Sequence, residues 1–126
     1  MKRILIVDDE TLIRYGLLRA LRGKDVEVKA VKTGEEALAE ISSSFYELCF
    51  LDINLPDANG LDIMKRIKEL SPDTKVTIIS GCVLNEHMKH EIASGAYMFV
   101  PKPFDLFQIK GIAEKALGGK NKGFLV

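Results

Sequence analysis

The feature that most narrows the fold is an alternation, repeated five times, between a short apolar run and a longer stretch with helical spacing. Ile4-Leu5-Ile6-Val7 is a β-branched run that meets Asp8-Asp9, after which Leu12, Ile13, Leu17, Ala20 and Leu21 recur at helical intervals up to Gly23. Val26, Val28 and Ala30 alternate with Glu27 and Lys29, the pattern of a strand with one wetter face and hence of a sheet edge. Thr33 with Glu36 three residues on reads as a capping box, opening a helix that carries Ala37, Leu38 and Ile41 inward. Leu48 to Leu51 form a continuous apolar run that suits a strand buried on both faces.

The same rhythm holds in the second half. After Gly60 a helix carries Ile63, Met64, Ile67 and Leu70 toward the core, and Ser71-Pro72 ends it. Val76 to Ile79 is the fourth strand, Leu84 to Ser94 a weaker helix closed by Gly95, and Tyr97 to Val100 the fifth strand. Asp105 with Gln108 marks the start of a last helix carrying Phe107, Ile109, Ile112, Ala113, Ala116 and Leu117 before Gly118-Gly119. Right-handed crossovers then place helices on both faces of a parallel sheet, so the expected architecture is a single doubly wound α/β domain of five βα units.

Size and charge limit what such a domain does. With 126 residues, 47% of them hydrophobic, the chain has room for one core, expected to span residues 1–118. Residues 119–126 are expected to be a flexible tail or the start of a linker. Eighteen basic and eighteen acidic residues cancel, so no global field favours nucleic acid or an anionic membrane. Lys2, Arg3 and the run to Val7 are too short for a signal peptide or a membrane span, and a cytoplasmic location is the expectation. Cys49 and Cys82 lack the spacing of a zinc site or a disulfide framework.

In open parallel sheets the functional groups lie beyond the carboxyl ends of the strands. Those ends carry Asp8-Asp9, Asp52 and Ser80, with Lys102 just after the fifth strand. Two carboxylates about 4 Å apart repel by roughly 4 kcal/mol at an effective dielectric near 20, so three of them call for a cation. Mg2+ accepts such hard oxygen ligands. Asp9 and Asp52 are the candidate direct ligands, Asp8 acts through water, and a main-chain carbonyl near Asn54 adds a third. Lys102 and Ser80 then remain to hold an anion, which together describes phosphoryl transfer onto the Asp52 carboxylate.

These residues resemble the receiver domains of two-component response regulators over about Arg3 to Leu117. Val7-Asp8-Asp9 is similar to the acidic pair of that family, and Leu51-Asp52-Ile53-Asn54-Leu55-Pro56 with Gly60 to its phosphoacceptor motif. Ser80-Gly81 matches the Thr/Ser switch position and Lys102-Pro103-Phe104 the lysine segment. The resemblance implies a flavodoxin-like sheet in the order 2-1-3-4-5 and a cis peptide before Pro103. It further implies phosphorylation of Asp52, with Mg2+, by a sensor histidine kinase or phosphotransfer protein, in a signalling domain with no turnover chemistry beyond self-phosphorylation and autodephosphorylation. A partner or homodimer face is expected from the helix at 84–94, the strand at 97–100 and the helix at 105–117, with no nucleic acid or membrane bound by the domain itself. Phe99 stands where the family often has a rotating Tyr, Pro101 removes an N–H beside Lys102, and Cys82 takes a position near the phosphoryl group.

Three rival readings share parts of this pattern. A flavin module would want a loop rich in Ser, Thr and Gly after the first strand, where this chain is acidic. A dehalogenase-type phosphatase would want a second Asp two residues after the nucleophile, where this chain has Asn54. A receiver-like scaffold acting without phosphorylation is the remaining alternative.

Overall fold

The computed structural model describes residues 1–118, and the expected tail 119–126 lies outside the described residues. The ten elements alternate throughout: β1 Lys2–Val7, α1 Thr11–Leu21, β2 Val26–Val31, α2 Gly34–Ser43, β3 Leu48–Asp52, α3 Gly60–Leu70, β4 Lys75–Ser80, α4 Glu86–Gly95, β5 Met98–Pro101 and α5 Leu106–Ala116. All neighbouring strands pair in parallel in the order β2-β1-β3-β4-β5, which is the doubly wound arrangement expected. β2, the strand with the wetter face, is an edge strand as its alternation indicates.

The pleat sorts the core into two layers. Leu5 and Val7 of β1, Cys49 and Leu51 of β3, and Val76 and Ile78 of β4 face α2, α3 and α4. Ile4, Ile6, Leu48, Phe50 and Ile79 face the opposite way, onto Leu17 and Leu21 of α1 and Ile109, Ile112 and Ala113 of α5. β3 is buried along its whole length, and each of its aliphatic side chains contributes about 1.5–3 kcal/mol by leaving water. Thr77 of β4 is fully buried, and its hydroxyl has no hydrogen-bond partner among the described residues.

Element ends differ from the sequence expectation by a residue or two, for identifiable reasons. α4 starts at Glu86 rather than Leu84 because the Asn85 side chain accepts the Met88 N–H and so caps it there. β5 is displaced by one residue to Met98–Pro101. The Thr33–Glu36 capping box is present in full. Asp105 caps α5 alone, accepting the Phe107 N–H at 2.8 Å. Leu12, Leu70 and Phe107, all of which fit the apolar spacing, are exposed. The first two sit in the terminal turns of α1 and α3, and Phe107 lies in the first turn of α5.

Candidate functional site

Four strand ends deliver the side chains. β1 stops at Val7, and Asp8 follows with its N–H on the Val31 carbonyl at 3.2 Å and only 1% of its surface exposed. Asp8 Oδ1 accepts the Glu10 N–H at 2.9 Å, which turns the chain back over the sheet edge before α1 begins. Asp52 is the last residue of β3 and is 3% exposed; its Oδ1 accepts the Asn54 N–H at 3.3 Å. Ser80 ends β4 and is buried. Lys102 follows β5, and its N–H is tied to the Ser80 carbonyl at 2.7 Å. The Lys102–Pro103 peptide is cis.

The Lys102 ammonium is the centre of the arrangement. Its Nζ lies 2.8 Å from Glu10 Oε1, 3.0 Å from Asp8 Oδ2 and 3.3 Å from Asp52 Oδ2. The contact with Asp8 Oδ2 is close enough for ion pairing but is not aligned as a hydrogen bond, so that buried oxygen has no well-directed donor among the described residues. Burial raises the Asp8 carboxyl above its usual range, against the pull of the Glu10 N–H and Lys102. Burial also raises Asp52, and the Asp8 charge raises it further, while Lys102 works the other way. Burial alone would lower the Lys102 ammonium, but hydrogen bonds and charge from Glu10, Asp8 and Asp52 outweigh it and raise its affinity for the proton.

Carboxylate oxygens of Asp8, Glu10 and Asp52 lie within 4.8 Å of one another. Such a set is made of hard oxygen donors, two of them buried and short of positive charge, and it fits a divalent cation such as Mg2+ better than a soft metal. Glu10 is the member that the sequence did not single out. It occupies the N-cap position of α1 yet makes no capping bond with its side chain, because its carboxylate is turned to Lys102 instead. Asp9, expected as a direct ligand, is exposed and lies outside this cluster. Asp8, expected to act through water, is the buried acid. Asn54 is exposed beside Asp52, joined to Asn59 by a backbone bridge.

Ser80 Oγ accepts the Cys82 N–H at 3.1 Å and lies 2.9 Å from Cys82 Sγ, so its hydroxyl is engaged by its own loop. Phe99 is half-buried opposite Ile78 and packs against the α2–α4 layer. Gly60 is sterically required, since a Cβ there would stand 2.1 Å from the Asp52 carbonyl oxygen and 2.7 Å from Ile53 Cα. The Gly60 N–H reaches the Ile53 carbonyl at 2.6 Å, which folds the loop tightly back on the end of β3.

Comparison with known proteins agrees with this fold. Residues 4–114 match the family model described as response regulator receiver domain. The chain is 32% identical over 114 residues to the DNA-binding transcriptional regulator NtrC of Azospirillum brasilense, a match covering 90% of this chain and 24% of that protein. The chain thus spans about a quarter of the length of the curated relatives it matches. Among solved structures it resembles a CheY-like response regulator receiver domain protein from Methanospirillum hungatei, with a TM-score of 0.85, 31% identity, and coverage of 95% of this chain and 97% of that one. It also resembles the response regulator TrrA of Thermotoga maritima, solved in complex with Mg2+ and beryllium fluoride. That match has a TM-score of 0.78, 33% identity, and coverage of 92% and 99%.

Proposed function

The chain belongs to the response regulator receiver domains, a family whose general function is that of a phosphorylation-activated signalling switch, and from that premise we propose that Asp52 is its phosphoryl acceptor. The observation that carries this reading is the meeting of Asp52 with Asp8 and Lys102 at one sheet edge, with Ser80 ending the adjacent strand. A carboxylate oxygen of Asp52 attacks the phosphorus of a phosphohistidine on a sensor histidine kinase or phosphotransfer protein. The P–N bond breaks, an acyl phosphate forms, and the leaving imidazole takes up a proton. Lys102 stands 3.3 Å from the attacking carboxylate, and its ammonium is placed to follow charge from Asp52 onto the transferred phosphoryl oxygens.

Mg2+, when bound, would offset the charge of the acids and of the incoming phosphoryl group. Asp8, Asp52 and Glu10 are the side chains that would hold it, with the main-chain carbonyl of Asn54 as a further ligand. Asp9 would have to rotate inward to serve as a direct ligand. Ser80 would exchange its bonds to Cys82 for the phosphoryl oxygens, and Phe99 would move toward the space it leaves. The face of α4, β5 and α5 would change with them. Tyr97, Met98, Leu106 and Phe107 are exposed along that face, which supports it as a surface for a partner or a second copy.

The domain acts as a signalling element in the cytoplasm, with no chemistry beyond its own phosphorylation and dephosphorylation. None of the described helices is long and apolar enough to cross a membrane. Acetyl phosphate with Mg2+ should add one phosphoryl group, read by intact mass, and Asp52→Asn should abolish it. Undiminished labelling of that variant would overturn the assignment of Asp52. Hydrogen exchange before and after phosphorylation should change over α4, β5 and α5, and changes confined elsewhere would overturn the assignment of the face.

A further inference from the structure

Helix α2 has two caps, drawn from different parts of the chain. Thr33 Oγ1 accepts the Glu36 N–H at 3.1 Å and Glu36 Oε1 accepts the Thr33 N–H at 3.2 Å, which completes the local box. That box leaves the N–H groups of Gly34 and Glu35, the first two of the helix, without an acceptor from α2 itself. Both go to Asp57: Oδ1 accepts from Gly34 at 2.9 Å and Oδ2 from Glu35 at 3.0 Å, across 23 and 22 residues of sequence. Among the described residues these are the hydrogen bonds that join the loop 53–59 to α2.

Packing follows the same line. A Cβ on Gly34 would stand 2.7 Å from Ile63 Cδ1 and 3.3 Å from Ala58 Cβ, so the start of α2 lies directly against the loop and the first turns of α3. At its base the loop is fixed by the Gly60 N–H on Ile53 and by the Asn54–Asn59 bridge. Only its tip needs an outside anchor, and Asp57 is at the tip. The two helix N–H groups also hold the Asp57 carboxyl below its usual range, as expected of an anion at the positive end of a helix.

The geometry points to Asp57 as a positioning residue of the phosphoacceptor site, a tether that fixes the loop 53–59 and thereby the main chain of Asn54 beside the Asp52 carboxylate. This rests on the reading of Asp52 as the acceptor. Asp57 does not touch the reacting atoms. It acts by presenting a loop already ordered, so that ordering is not charged against ligand binding.

The test compares Mg2+ affinity by titration calorimetry, and thermal unfolding, in wild type, Asp57→Ala, Asp57→Asn and Thr33→Ala. Asp57→Ala and Thr33→Ala each remove a cap from the same helix and should both lower the melting temperature, but only the first unties the loop. Asp57→Ala should weaken Mg2+ binding by about tenfold, the lower end of what losing the support of a metal ligand costs. Asp57→Asn keeps one acceptor oxygen and should fall between. Thr33→Ala should bind as wild type. Wild-type affinity in Asp57→Ala, or an equal loss in Thr33→Ala, overturns the tether and leaves the site reading standing. Absence of Mg2+ binding in wild type overturns both.

Discussion

Asp52→Asn should make the metal-free protein more stable and at the same time deprive it of its response to Mg2+. The magnitude follows from the neighbours of Asp52. At an effective dielectric near 20, the ammonium of Lys102 at 3.3 Å attracts the carboxylate by about 5 kcal/mol. Asp8, with oxygens within 4.8 Å, repels it by at least about 3.5 kcal/mol at the same dielectric. Glu10 lies within the same distance, but it is more than half exposed, and solvent reduces its contribution to about 1 kcal/mol. Attraction and repulsion thus nearly cancel, and burial of the charge decides the sign. The raised carboxyl of Asp52 agrees with that sign.

A net gain of about 1 kcal/mol for the amide corresponds to roughly 4 °C in melting temperature for a domain of this size. Because the folded carboxyl binds its proton more tightly than the unfolded one, the penalty is complete above the raised folded value. It fades as the pH falls toward 3.8, so the advantage of Asp52→Asn should shrink on acidification. Mg2+ at ten times its Kd should stabilise wild type by about 1.4 kcal/mol and the variant by much less. Thermal unfolding of both proteins in EDTA and in Mg2+ provides the check. A variant that melts below wild type in EDTA, or a wild type indifferent to Mg2+, would refute the reasoning.

Gly60→Ala should cost about 3 kcal/mol, the upper end for overpacking, because the atoms met are backbone; calorimetry should show both a lowered melting temperature and a lost Mg2+ response. Thr77→Val exchanges a buried hydroxyl that has no partner among the described residues for a methyl group and should raise stability by about 1 kcal/mol, read from urea unfolding at unchanged slope. Burial pushes the Cys49 thiol up to about 12, so iodoacetamide at mild pH should label Cys82 and spare Cys49 until the protein is unfolded, as peptide mass mapping would report.

The strand ends were legible because each apolar run stops abruptly at a polar residue, and a parallel sheet collects such stops on one edge. Asp8, Asp52, Ser80 and Lys102 could therefore be placed together from the sequence. The choice among Asp8, Asp9 and Glu10 could not be read the same way. It depends on a turn in which Asp8 Oδ1 takes the Glu10 N–H, and three consecutive acids carry no mark of which carboxylates approach Asp52 and Lys102. The link from Asp57 to α2 was equally hidden, since a cap supplied from 23 residues away leaves no local pattern, whereas the Thr33–Glu36 box does. Leu12 and Leu70 fit the helical period but stand exposed in terminal turns, because periodicity reports a face and not where the sheet beneath it ends.

The ion pair between Lys102 and Glu10 spans 92 residues of sequence. During synthesis from the N-terminus, Asp8, Glu10 and Asp52 are therefore all made long before their counter-ion. Lys102 belongs to the segment that follows the last strand, so its ammonium reaches the acids only once β5 has joined the sheet beside β4. A nascent or truncated chain ending before this residue would carry the Asp52 carboxylate, the proposed acceptor, without the ammonium that stands beside it. If Asp52 is the acceptor, competence to receive a signal would then be withheld until the domain is finished, and a half-made copy would not draw phosphate away from mature ones.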